Sequence, residues 1–168
     1  MPEQKTIKRA RRDKRQGKSA STQAGEFVRE EIHHIREGKH GARSAKQAIA
    51  IGLSQARRAG VDLPPPKKGR ASKKTRRSAQ RAYEVGQGRR TPRSPSSKRS
   101  RATLNALKHE PRSSASHSAL ANQTRSAARH RSATERSAAA RKAARTKGPA
   151  ARSAAARKAA RTRARHGR

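Results

Sequence analysis

The run Ser44–Val61 reads SAKQAIAIGLSQARRAGV, and its spacing predicts a helix marked at both ends. Ser44 with Gln47 three residues on makes a capping box, and Gly60 followed by Val61 makes a glycine stop with an apolar contact behind it. Between them Ala45, Ala48, Ile49, Gly52, Leu53 and Ala56 recur at i, i+3, i+4, i+7, i+8 and i+11, one helical stripe. Most of that stripe is small, so a neighbouring helix can come close. Its partner lies upstream, where Val28, Ile32 and Ile35 recur at i, i+4 and i+7 beside Phe27, on a helix starting after Ser21 or Thr22 and ending at Gly38. The two make a helical hairpin over residues 21–63, with Phe27, Val28, Ile32, Ile35, Ile49 and Leu53 as its contact residues. Nine of the 14 Leu, Ile, Val and Phe residues fall here, and so small a pair is expected to need a partner or a second copy. Ile51, off the stripe, points the same way.

Little else in the chain can build a core. Of the 49 apolar residues 33 are Ala, leaving 16 larger ones, and Leu, Ile, Val and Phe together make 14 of 168. That is well under the ~20% below which a highly charged chain stays unfolded, so a compact single-core enzyme is excluded. Lys and Arg number 46 against 10 Asp and Glu, a formal charge of +36, which calls for a polyanionic partner. No apolar run is long enough for a membrane helix or a secretory leader, so no membrane insertion and a cytoplasmic location are expected. With no Cys, disulfides and thiolate chemistry are absent.

The charge is uneven. Residues 1–63 hold 15 basic and 7 acidic residues (+8), and residues 64–168 hold 31 and 3 (+28). Pro64, Pro65 and Pro66 mark the boundary, since three prolines stop a helix and stiffen the chain. The expected organisation is a basic arm over 1–20, the hairpin over 21–63, a Pro/Gly/Ser-rich basic linker over 64–100 and an Ala/Arg-rich tail over 101–168. The arm carries Arg9, Arg11 and Arg12 on a helix over Glu3–Gln16 that would order on an anion. The linker holds Lys67 and Lys68, and a short basic helix from Ala71 to Glu84 carries Arg76 and Arg77. Weaker helices are expected over Ser100–Leu107, with Leu104 and Leu107, and over Ser116–Arg129, with Leu120. The fold class is therefore mostly α: a small helical hairpin preceded by a basic helix, and a long, largely disordered tail with nascent helices.

The tail repeats itself. Arg136–Thr146, RSAAARKAART, recurs unchanged as Arg152–Thr162, a period of 16 residues broken by Gly148 and Pro149. Ala and Arg favour helix, while mutual repulsion opposes it until an anion neutralises the charge. Arg136, Arg141, Lys142, Arg145, Lys147, Arg152, Arg157, Lys158, Arg161, Arg163 and Arg165 are the candidate nucleic-acid contacts, because the guanidinium fork pairs with phosphate and Ala adds no bulk. Thr91-Pro92-Arg93 and the Ser94–Lys98 run resemble the Ser/Thr-Pro turns of linker-histone tails, but the match is imperfect and a plain Pro-rich linker is the preferred reading.

Other chemistry finds little footing. Gly17-Lys18-Ser19 is not a phosphate loop, for Arg12 stands where that motif needs glycine. Glu30 with His33 has a Glu-x-x-His spacing, but His33, His34 and His40 with Glu30 and Glu37 fall in one short stretch, where a two-metal bundle needs such motifs on two helices plus further Glu residues, so they are read as surface histidines and no metal, cofactor or catalytic residue is expected. Asp13 and Asp62 have no Ser and His context for a triad. With one Tyr and one Phe, base stacking is nearly out of reach, which favours duplex DNA met through its phosphates.

The stretches Ser21–Glu31 and Glu37–Leu53 resemble a bacterial family of small basic proteins of unknown function, over roughly residues 1–70, and the resemblance implies a bacterial source and no catalytic residue. The tail is similar in style to bacterial histone-H1-like, Ala/Lys-rich nucleoid proteins, though the chain as a whole uses 31 Arg to 15 Lys. The function expected is sequence-independent, nucleoid-associated DNA binding. The alternatives are an RNA or ribosome-associated protein, an adaptor whose acidic-faced hairpin recruits a protein or a second copy, and a helix-turn-helix with Lys46, Gln47 and Arg57 facing DNA. The seven-residue stretch from Gly38 to Ser44 exceeds the 3–4 residues that last motif uses.

Overall fold

The computed structural model describes residues 2–94 and 96–165. Pro95 of the Ser94–Lys98 run and residues 166–168 of the tail lie outside the described residues. Helix is the only regular structure among them: α1 Gln4–Arg15, α2 Ala20–Arg36, α3 Ala45–Arg58, α4 Lys73–Gly86, α5 Ser97–Lys108, a 3-10 turn at Arg112–Ala115, α6 His117–Arg129 and α7 Ala133–Arg165. They divide into two compact units, residues 1–123 and 124–168, with the division inside α6.

The α2–α3 hairpin is the centre of the first unit. Ser44 Oγ accepts from Gln47 N–H at 3.3 Å, and Gln47 Oε1 returns a bond to Arg43 N–H at 2.9 Å, one residue before the usual capping-box position. At the other end Gly60, at φ 88°, donates to the Arg57 carbonyl while Val61 donates to that of Ala56. That pair of bonds closes the helix and turns Val61 onto Ala56. Ala45, Ala48, Gly52 and Ala56 are buried, with Ile49 and Leu53 half-buried at the margin. At Gly52 a Cβ would stand 2.7 Å from Val28 Cα, so the two backbones meet where the stripe is smallest.

The hairpin's partners come from the same chain. Ile7 and Ala10 of α1 pack on Phe27 together with Ala24, Ala56 and Val61, which makes α1 part of the core instead of a free arm. A second cluster joins Ile32, Ile35, Ala42, Ala48 and Ala115, with Val28 and Leu120 at its rim. It is tied from outside by Arg36 Nε to the Ala115 carbonyl at 2.9 Å and by Arg112 Nη2 to the Arg36 carbonyl at 2.8 Å. α4 packs on α3, and Ile51, off the stripe, is half-buried within the same chain.

The proline run lies inside this unit, not at its edge. Arg57 is buried and donates to the carbonyls of Leu63 (3.0 Å) and Pro64 (3.3 Å), which folds the run back against α3. Arg76 Nε donates to the Pro66 carbonyl at 3.2 Å and Tyr83 Oη to Asp62 Oδ1 at 2.6 Å, holding α4 in place.

The expectation of a largely disordered tail is corrected: α5, α6 and α7 occupy most of Ser97–Arg165. Counting large apolar residues measures a core, but these helices rest on local terms. Ala and Arg carry strong helix propensity, and serines cap the starts. Ser96 Oγ accepts from Arg99 N–H, Ser116 Oγ from Ala119 N–H, and Ser132 with Glu135 forms a full capping box at 3.1 and 2.9 Å.

Candidate nucleic-acid interface

α7 holds 11 of the 18 basic residues singled out from sequence, Arg136 to Arg165, and all 11 are exposed. The one acid on the helix is Glu135. At 100° per residue Arg141 and Arg145 share one side while Arg136 and Lys147 share another, so positive charge surrounds the helix. Such a helix has no apolar stripe to bury against protein, and none of its described residues is buried.

The duplicated sequence gives duplicated structure. Thr146 Oγ1 donates to the Lys142 carbonyl at 2.9 Å, and Thr162 Oγ1 repeats the bond to Lys158 at 3.0 Å. Between the repeats Gly148 leaves the helical region at φ 68° and ψ 167°, and Pro149 follows as the first residue of a new run. α7 is therefore two basic rods joined at a break, about 22 and 26 Å long at ~1.5 Å per residue.

In the first unit the candidates separate. Lys67 and Lys68 are exposed in the turn before α4, and Arg77 is exposed on α4. Arg76, half-buried and bonded to Pro66, lines with Lys73, Arg77, Gln80 and Pro65 an open cleft of about 230 Å³. Arg11 and Arg12 are exposed on α1, but Arg9 turns inward to pair with Glu26 at 2.9 Å. Lys73, Lys74 and Arg81 on α4, and Lys5, Lys8, Lys14 and Arg15 on α1, are further exposed basic residues. Only their local charge density marks them in sequence.

The hairpin does not present an acidic face. Glu26, Glu30 and Glu31 are buried, at 8%, 5% and 1% exposure, beneath α1 and the segment after α2. Arg57, a proposed DNA contact of the helix-turn-helix alternative, is buried as well. The contact residues Phe27, Ile32 and Ile35 are internal, with Val28, Ile49 and Leu53 partly so.

Nor are all the histidines on the surface. His33 is exposed beside Glu37, but the side chains of His34 and His40 are only 18% and 14% exposed: His34 Nε2 lies 3.0 Å from Glu3 Oε1 and 4.0 Å from Glu30 Oε1, and His40 Nε2 lies 3.5 Å from Glu31 Oε1. Burial pushes the Glu31 carboxyl up from its ordinary value, opposed by His40 and by the Gln55 hydrogen bond.

Both aromatic side chains serve the fold: Phe27 is fully buried, and the Tyr83 hydroxyl is held by Asp62, which raises its pKa. No described helix is long and apolar enough to cross a membrane.

Residues 11–68 match a family of unknown function (DUF6496). The matched segment runs from the middle of α1 through the hairpin to the turn before α4. No curated protein and no solved structure matches the chain.

Proposed function

We propose that this protein binds double-stranded DNA through phosphate contacts without reading sequence, as a histone-like, nucleoid-associated protein of the bacterial cytoplasm. The observation that carries the reading is α7, two repeats of one basic helix with all 11 Lys and Arg exposed and no face suited to a protein core. Each phosphate neutralised releases condensed counterion, so affinity comes from the number of cations presented and not from a pocket. The break at Gly148 lets the rods follow separate stretches of backbone. The exposed cations of α4 and α1 add further positive charge on the first unit.

Duplex DNA is favoured over single strands because stacking needs free aromatic rings, and Phe27 and Tyr83 are engaged in the fold. An adaptor working through an acidic hairpin is disfavoured by the burial of Glu26, Glu30 and Glu31. The test is competition between unrelated duplexes of equal length and a structured RNA. Equal affinity for every duplex supports the reading. Tighter binding to the RNA transfers it to a ribosome-associated role.

A further inference from the structure

Glu31, His34 and His40 each place one ligand atom within 4.8 Å of the others. The geometry points to a zinc-type divalent cation site formed by these three side chains, with Glu30 or water completing the coordination.

Four observations converge there. First, Glu31 Oε1 and Glu30 Oε2 are buried without a hydrogen-bond partner, on side chains 1% and 4% exposed. A buried carboxylate oxygen left unbonded costs free energy unless a cation or proton meets it. In a chain of 46 basic residues, neither carboxylate pairs with Lys or Arg among the described residues. Lys39, which lines the same cleft as Glu30, is engaged by Glu37 at 3.1 Å and Glu3 at 3.6 Å.

Second, the spacing suits a small cation. Donors about 2.0–2.1 Å from a tetrahedral zinc stand about 3.4 Å apart, and His40 Nε2 lies 3.5 Å from Glu31 Oε1. Third, the surroundings orient the donors. His40 Nδ1 faces the Gly41 carbonyl at 3.0 Å, and donating its proton there leaves Nε2 with a free lone pair toward Glu31. Gln55 Nε2 donates to Glu31 Oε2 at 3.1 Å and leaves Oε1 for the cation. Backbone-bonded imidazoles and hydrogen-bonded carboxylates are the usual outer shell of zinc.

Fourth, the position favours positive charge. Glu31 and His34 lie one turn apart near the carbonyl end of α2, where the helix dipole is negative. An open cleft of about 230 Å³, lined by Glu3, Glu30, His34 and Lys39 among others, leads to the neighbouring side of His34. Two imidazoles and a carboxylate select zinc or cobalt over magnesium or calcium. Bound there, the cation would staple the end of α2 to the segment after it and, through Gln55, to α3.

Cobalt(II) titrated into the full-length protein reads the site directly. One equivalent is expected to give a saturable visible band of low-coordinate cobalt, removed by zinc and by chelator. Glu31→Gln and His40→Asn should each abolish the band, Gln55→Leu should weaken uptake about 10–100-fold, and His33→Asn should leave it unchanged, with circular dichroism confirming that each variant is folded. No saturable band in the wild-type protein, or equal loss in His33→Asn and His40→Asn, overturns the site.

Discussion

Tyr83 is the only tyrosine, and the chain has no Trp, so its ultraviolet titration reports one hydroxyl. The hydrogen bond to Asp62 favours the neutral phenol and raises the pKa above 10.0. The sign follows: this contribution to stability is complete below the ordinary tyrosine value and is lost as pH rises through the folded one. Spectrophotometric titration should give a midpoint above that of free tyrosine, and Asp62→Ala should bring it back down. Two glycines make a contrasting pair at the same scale. A side chain at Gly52 meets Val28 backbone, so Gly52→Val should cost about 1–3 kcal/mol by overpacking. Gly25, within α2, has nothing within 4 Å of a Cβ, and Gly25→Ala should stabilise by about 0.5–1 kcal/mol. Urea denaturation of both variants measures the difference. Equal effects would contradict the close approach of α2 and α3.

At the scale of elements, α7 and the hairpin are helices for different reasons. α2 and α3 bury a stripe, whereas none of the described residues of α7 is buried, and few buried contacts mean easy local opening. Hydrogen exchange should find α7 amides far less protected than those of α2 and α3, and duplex DNA should slow exchange in α7 selectively. Uniform protection with no response to DNA would contradict the assignment of α7 as the binding element. The same distinction explains what was legible in the sequence. Stripes and caps are local, so the ends of α3, the Gly60 stop and the repeat break at Gly148 could be read from residues a turn or two apart. The docking of α1 could not, because it rests on Ile7 and Ala10 meeting Phe27 and on Arg9 meeting Glu26 across the fold. Likewise His40 reaches Glu31 only once the chain turns back at Gly38. The exposed Arg and Lys of α7 were legible as candidates because nothing in their sequence gives them a core to join.

For the whole molecule, the asymmetry in charge becomes a division of labour. The first unit gathers every large apolar residue and nine of the ten acidic ones, while α7 in the second holds the dense run of cations. The central claim is that this run, through counterion release, supplies most of the affinity for duplex DNA. The most direct test is a salt titration of binding to unrelated 30-base-pair duplexes by the full-length protein and by a full-length variant with Arg141, Arg145, Arg157 and Arg161 changed to Gln. If about ten phosphates are neutralised, log K should fall against log salt with a slope near −9, equal for all duplexes, and the four substitutions should make it shallower by about 3–4. A wild-type slope shallower than about −3, or a slope that the four substitutions leave unchanged, would contradict the account.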